Sequence, residues 1–235
     1  KTGSSDSSRA WVVTRPDRTQ FLFDADGYQS ATRDNNGNEL LFTYDRRKSN
    51  NKPIKFLRYL TDAAARQTLS LTTYAKGQAY DYYDSGTGQR LSATNLTNPH
   101  IIDQVQTITD ISGRKLSLVY SDKGLLKELV DGGGDTQAKT FLFDYDMTQG
   151  NKNVKLVKVT DPRGKATNLA YYSPPNDDPK FHWWAKTITD RLDNPTGFAY
   201  VDPDGPQGSV METTVTDAEQ HATFYRTDGF GRPVL

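Results

Sequence analysis

Residues 108–131 read ITDISGRKLSLVYSDKGLLKELVD, and their pattern decides the fold. In an extended chain successive side chains point to opposite faces. Leu116, Leu118 and Tyr120 therefore share one face, and Lys115, Ser117 and Val119 share the other. Ser112-Gly113 before this run and Asp122-Lys123-Gly124 after it tolerate turn dihedrals. A second extended run follows over 125–130. Strand, turn and strand within about 25 residues is the hairpin spacing of an all-β protein.

Working outward, the same unit recurs. A Thr-Asp pair, a few turn residues, an alternating strand and a Tyr appear as LTDAAARQTLSLTTY (60–74), ITDISGRKLSLVY (108–120) and VTDPRGKATNLAYY (159–172). They appear again as ITDRLDNPTGFAYVD (188–202) and VTDAEQHATFYRTDGFGRP (215–233). Upstream, 11–28 reads strand, Pro-Asp turn, strand, Asp-Gly turn. SATRDNNGNELLFTYD (30–45) adds Asn36-Gly37, a strong hairpin signal. The sixth, eighth and tenth residues after the Asp form a stripe: Leu40, Phe42, Tyr44; Leu116, Leu118, Tyr120; Thr167, Leu169, Tyr171; Thr196, Phe198, Tyr200. The copy at residue 60 is one residue out of step, which a β-bulge would absorb. Ala65, Asp193 and Gln220 stand where other copies carry Gly, so those turns lack the residue that adopts positive φ freely.

Two stretches break the pattern. Residues 79–99 (AYDYYDSGTGQRLSATNLTNP) are strand-like, then loop-like. Residues 172–185 (YSPPNDDPKFHWWA) open on prolines that exclude regular structure. Residues 1–10 are small and polar and read as a flexible lead-in. Residues 11–235 are then one repeat domain of stacked antiparallel hairpins, in a sheet strip that curls. One hairpin is marginal in water, and stacking supplies paired edges and a continuous apolar face.

Composition bounds the function. Basic and acidic residues balance at 29 each, which gives no support to a nucleic-acid or anionic-membrane partner. No apolar run approaches the roughly 20 residues of a membrane span. There is no Cys, hence no disulfide framework. Aromatics are 11% of the chain and Tyr alone numbers 13, so burial leans on amphipathic rings. Lys1 is not a natural start, which predicts a piece of a longer polypeptide.

The spacing D-x-x-G-x-x-x-x-x-x-Y is complete in three copies. They are Asp34, Gly37 and Tyr44, then Asp110, Gly113 and Tyr120, then Asp161, Gly164 and Tyr171. A fourth, with Asp190 and Tyr200, lacks the Gly. Repeated in register over roughly 11–235, the spacing resembles the YD repeat of the Rhs family. The resemblance implies a β-sheet strip that spirals into a hollow shell, with these Asp, Gly and Tyr residues as its structural repeat. Bacterial polymorphic toxins and insecticidal toxin complexes use such a shell to enclose a C-terminal toxic domain, and related animal adhesion receptors carry a similar barrel. It implies an exported or cell-surface protein, whose partners are the rest of its own shell and an enclosed cargo. The family's self-cleaving DPxGL-type segment follows the repeats. Asp202-Pro203-Asp204-Gly205 approaches it but continues with Pro206, so no catalytic residue carries over.

Enzyme and metal signals are weak on their own terms. His100, His182 and His221 lack metal-ligand spacing, and no nucleophile elbow or phosphate loop is present. Asp177/Asp178 and Asp202/Asp204 are adjacent carboxylates in Pro-rich turns, unlike a glycosidase pair set across a cleft. Asp24-Ala25-Asp26-Gly27 and Asp202-Pro203-Asp204-Gly205 echo half a calcium loop, but the twelfth positions are Asn35 and Thr213, not Glu. The expectation is a non-enzymatic chain without a cofactor or metal. Phe181, His182, Trp183 and Trp184 have two readings: packing, with Trp183 turned into the sheet and His182 and Trp184 covering an edge of it, since aromatics serve cores and interfaces, or a candidate ligand-binding cluster. The ligand-binding reading belongs to the alternative function, a cell-surface binding module for glycan or a partner protein.

Overall fold

The structure, a computed structural model, describes residues 9–49, 52–134, 136–149, 153–205 and 210–234. Residues 1–8 of the predicted lead-in, and Pro206, lie outside them. Among the described residues there is no α-helix, only strands, turns and a 3₁₀ turn at Pro179–Phe181. The all-β expectation holds. The chain divides into two compact units, Lys1–Lys139 and Thr140–Leu235.

The first unit carries β1 (Trp11–Thr14), β2 (Gln20–Phe23), β3 (Gln29–Arg33), β4 (Glu39–Ser49), β5 (Lys52–Thr61), β6 (Gln67–Thr73), β7 (Tyr80–Tyr83), β8 (Arg90–Ala93), β9 (Val105–Asp110), β10 (Lys115–Tyr120) and β11 (Leu126–Asp131). Its main sheet runs β1-β2-β3-β4-β5-β6-β9-β10-β11, each neighbour antiparallel. The strands β7 and β8 form a separate hairpin from the first non-repeat stretch. The second unit carries β12 (Lys139–Asp146), β13 (Lys155–Thr160), β14 (Ala166–Tyr171), β15 (Ala185–Thr189), β16 (Pro195–Val201), β17 (Met211–Thr216) and β18 (Ala222–Thr227). These pair antiparallel in chain order.

The turns are built alike. At Asp24, Asp34, Asp62, Asp110, Asp161, Asp190, Asp217 and Asp228 the carboxylate Oδ1 accepts the backbone N–H groups two and four residues on. The Asp carbonyl accepts the N–H three residues on, and the Asp N–H donates to the carbonyl four residues on. The side chain thereby satisfies donors that the reversing ladder leaves unpaired. Ser121 does the same with its hydroxyl, at 3.3 and 3.2 Å to Lys123 and Leu125.

The residue three after the Asp is left-handed. In the three complete copies it is Gly37, Gly113 and Gly164, with φ 86°, 85° and 76°. Ala65, Asp193 and Gln220 hold the same conformation, at 60°, 66° and 68°. The turn geometry therefore overrides side-chain preference where Gly is missing. Gly164 is thus conformationally favoured at its turn, but the turn does not depend on Gly as such. An L-residue in this region costs about 1–2 kcal/mol. Gly recovers that, less roughly 0.4–1 kcal/mol of added unfolded-chain entropy. Gln220→Gly should therefore raise stability by roughly 0.5–1 kcal/mol in chemical denaturation. A loss of stability would show that the Gln220 side chain contributes more than its strain costs.

The strand ends are also alike. At Phe23, Tyr44, Tyr120, Tyr145 and Tyr171 the ladder to the next strand slips by one residue immediately before the aromatic. Such bulges bend the strand and increase its twist. The out-of-step copy at residue 60 has the expected bulge, between Leu60 and Thr61.

Few side chains are fully covered. Among the described residues the buried apolar ones are Leu22, Ala31, Tyr74, Leu96, Ile101, Val119 and Tyr120, all in the first unit. Tyr74, Leu96, Ile101 and Tyr120 make one cluster, flanked by Tyr80, Tyr82, Leu118 and Leu126. The stretch 79–99 and the turn after it thus fold onto the sheet and supply much of its core.

Candidate functional site

Three stripe tyrosines share one contact. The hydroxyls of Tyr44, Tyr120 and Tyr171 donate to the carbonyls of Gln29, Val105 and Leu156, each 15 residues upstream, at 2.7, 2.8 and 2.8 Å. The acceptor lies near the start of the preceding strand, on the side away from the bulge, so each hydroxyl ties a hairpin's open end. Burial raises the pKa of all three phenols. Tyr200 differs: the β16–β17 ladder runs without a slip, and its ring joins an aromatic cluster instead.

The turn carboxylates are charged groups held by fixed donors. Asp34 is held below the ordinary 3.8, first by the Asn38 side-chain amide and then by backbone N–H groups. Asp110 is lowered first by the Ser112 hydroxyl, and Asp161 and Asp190 first by the backbone N–H of Lys165 and Asn194. Asp62, Asp217 and Asp228 shift the same way. A carboxylate whose pKa is depressed on folding stabilises the fold above its unfolded value and loses that contribution as pH falls through the folded value. Thermal stability should therefore be flat from about pH 7 to about 5 and fall below about pH 4. A melting curve unchanged down to about pH 2.5 would uncouple these carboxylates from folding.

The first non-repeat stretch is fastened by polar contacts. Asp122 N–H donates to the Tyr83 carbonyl at 2.9 Å, and Asn98 Nδ2 to the Asp122 carbonyl at 2.8 Å. Glu128, only 3% exposed, accepts the Tyr83 hydroxyl and the Arg90 guanidinium, which also reaches Asp81 at 2.8 Å. The Tyr74 hydroxyl donates to the Leu118 carbonyl at 2.8 Å, and burial pushes its pKa up to about 12. A cleft of about 510 Å³ opens here, lined by Tyr80, Asp81, Arg90, Thr107, Lys115 and Ser117 among others.

The second non-repeat stretch places the predicted aromatic residues in two groups. Phe181 and Trp184 cluster with Tyr172 and Tyr200. Trp184 meets Tyr200 edge-on at 4.8 Å and 85°, and Phe181 lies 5.6 Å from Trp184. Trp183 leaves that group: its backbone is left-handed at φ 77°, and the Lys155 ammonium sits 3.5 Å from its ring centroid. His182 Nε2 lies 3.0 Å from the Asp177 carbonyl. Asp177 pairs with Lys186 at 2.7 Å, Asp178 caps the 3₁₀ turn through Lys180 N–H, and Asp202 pairs with Lys180. The adjacent carboxylates are thus engaged in local structure. At the half calcium loop, the Lys55 ammonium sits 2.5 and 2.7 Å from Asp24 and Asp26, where a cation would bind. The Asp24 hydrogen bond leads the shift of Lys55 above its ordinary pKa. Among the described residues no group of acidic or histidine side chains is arranged to hold a metal, and no helix is long and apolar enough to cross a membrane.

No protein-family model matches the chain, and no curated protein matches it. Among solved structures it is similar to a chain in the crystal structure of TcdB2-TccC3-Cdc42, with 12% identity over 92% of this chain and a TM-score of 0.22. A chain in the TcdB2-TccC3-TEV crystal structure matches with 12% identity over 94% and a TM-score of 0.23. This chain spans only 15% and 16% of those chains. At these TM-scores the likeness carries no argument, and the functional reading rests on the repeat geometry.

Proposed function

We propose that this chain is a wall segment of an Rhs/YD-type β-shell, a non-enzymatic scaffold that encloses a cargo polypeptide in an exported toxin-like protein. The observation that carries this is the sameness of the fastenings. Eight Asp turns repeat one hydrogen-bond pattern, and three Tyr hydroxyls reach back by the same 15 residues. Such uniformity suits an array whose units stack on their neighbours. A catalytic site calls for a few groups of different kinds converging on one point. The action is steric: paired hairpins form a barrier between a cargo and its surroundings.

The test is on the full natural polypeptide, purified and measured by intact mass and limited proteolysis. A C-terminal piece that stays bound without a covalent link, and resists protease until the wall is denatured, is expected. A C-terminal region digested as readily before denaturation as after it would overturn the proposal.

A further inference from the structure

We infer that Lys55 and Asp24 condense spontaneously to an internal amide bond that fastens the β2–β3 turn to β5. This goes beyond the wall role and does not rest on it, since the chain's own mass reports the bond. In the sheet β4 lies between β3 and β5, so the link reaches across a strand. The Lys55 ammonium sits 2.5 Å from Asp24 Oδ2 and 2.7 Å from Asp26 Oδ2, and 5.1 Å from the centre of the Tyr28 ring.

Each role in the reaction has a group in place. Asp24 Oδ1 accepts the N–H groups of Asp26 and Tyr28 at 3.0 and 2.9 Å. Fixed donors of this kind stabilise the charge that develops on a carbonyl oxygen during acyl transfer. Asp26 is a proton acceptor within hydrogen-bond reach of the amine. A lysine amine is a nucleophile once that proton is taken. The Lys55 and Asp24 side chains are 10% and 15% exposed, which keeps bulk water from the join, whereas Asp26 at 64% exchanges protons with solvent. Among the described residues, the Asp24 turn is the one Asp turn that brings an amine to Oδ2. Other turn carboxylates meet an amide, a guanidinium or an imidazole there, as with Asn38, Arg66 and His221.

The step balances without an oxidant, reductant or cofactor. Asp26 takes a proton from the Lys55 ammonium, and the freed amine attacks Asp24 Cγ to form the Nζ–Cγ bond. The Cγ–Oδ2 bond breaks, and Oδ2 leaves as water with two protons from Nζ, relayed by Asp26. One positive and one negative charge become a neutral amide. The resting pair is charged, so the reaction depends on proximity, and well-oriented intramolecular partners reach effective molarities of about 10⁵–10⁸ M.

The test is the mass of the whole chain, denatured after several days at neutral pH, followed by a tryptic map. The mass should fall short of the sequence by one water. The map should hold a branched peptide joining 19–33 to 49–58, because trypsin does not cut at an acylated lysine. Lys55→Arg keeps the charge pair and should restore the full mass. Asp26→Asn should slow linking at least ~100-fold, the weight of a positioned proton acceptor. The parent's mass and map decide the matter if a variant does not fold. The inference is overturned if the parent keeps its full sequence mass, or if the lost water maps within 19–33 alone, as a cyclic imide at Asp26-Gly27 gives. It is equally overturned if Lys55→Arg loses the water too, or if Asp26→Asn links at the parent's rate.

Discussion

Tyr120→Ala should destabilise the first unit by about 3–5 kcal/mol, the cost of deleting a buried aromatic. The ring is 7% exposed and meets Tyr74 edge-on at 6.0 Å. Its hydroxyl satisfies the Val105 carbonyl at 2.8 Å. Tyr120→Phe separates the two roles: it keeps the ring, strands the carbonyl, and should cost about 1 kcal/mol. Denaturant midpoints at unchanged slope report both values. A loss below about 0.5 kcal/mol for the alanine variant would place the ring toward solvent and contradict the register.

Leu96→Ala is the second large effect, expected at about 2–5 kcal/mol for a wholly buried leucine. Leu96 is 0% exposed and packs in the cluster of Tyr74, Ile101 and Tyr120. Its backbone is fixed on both sides, N–H to the Gln78 carbonyl at 2.8 Å and carbonyl from Gly77 N–H at 2.9 Å. The site therefore collapses poorly around a cavity, which favours the upper part of the range. The measurement also tests whether 79–99 is integral to the sheet. If Leu96→Ala leaves the denaturation midpoint unchanged, the β7–β8 hairpin opens independently of the β9–β11 core.

The repeat is legible because its chemistry is local. An Asp side chain reaches N–H groups two and four residues on, so the turn at Asp110 is written in five consecutive residues. Tyr120 and its acceptor are 15 residues apart, within a single hairpin. Two further Asp turns, at Asp24 and Asp228, and the Ser121 variant fall outside the repeat as the sequence displays it. Asp24 and Asp228 do carry the Gly three residues on, as Asp161 carries Gly164, and that is the signal that finds them. Ser121 carries Gly124 at the same offset, but a Ser there is indistinguishable from an ordinary strand residue.

The aromatic stretch is legible as a cluster but not as an arrangement. Alternation alone places Trp183 and Trp184 on opposite faces of a strand. The structure instead separates them by a left-handed backbone at Trp183, whose N–H donates to the Tyr172 carbonyl at 2.8 Å. Tyr172 joins the cluster from the start of the same stretch, just past β14, and Tyr200 joins it from β16, a packing that no local pattern announces.

By itself the sequence determined the strand content, the repeated Asp turns, the spacing of the stripe tyrosines and the all-β class, because each rests on a pattern within one hairpin; that three of those tyrosines tie back to a carbonyl 15 residues upstream came from the structure. Only the tertiary structure decided that Leu96 and Ile101 are core, that Glu128 is buried against Tyr83 and Arg90, and that Trp184 meets Tyr200 edge-on while Trp183 stacks under Lys155. Those outcomes depend on which distant strand lies across each residue, and burial is set by that packing, not by the residue's own neighbours in the chain.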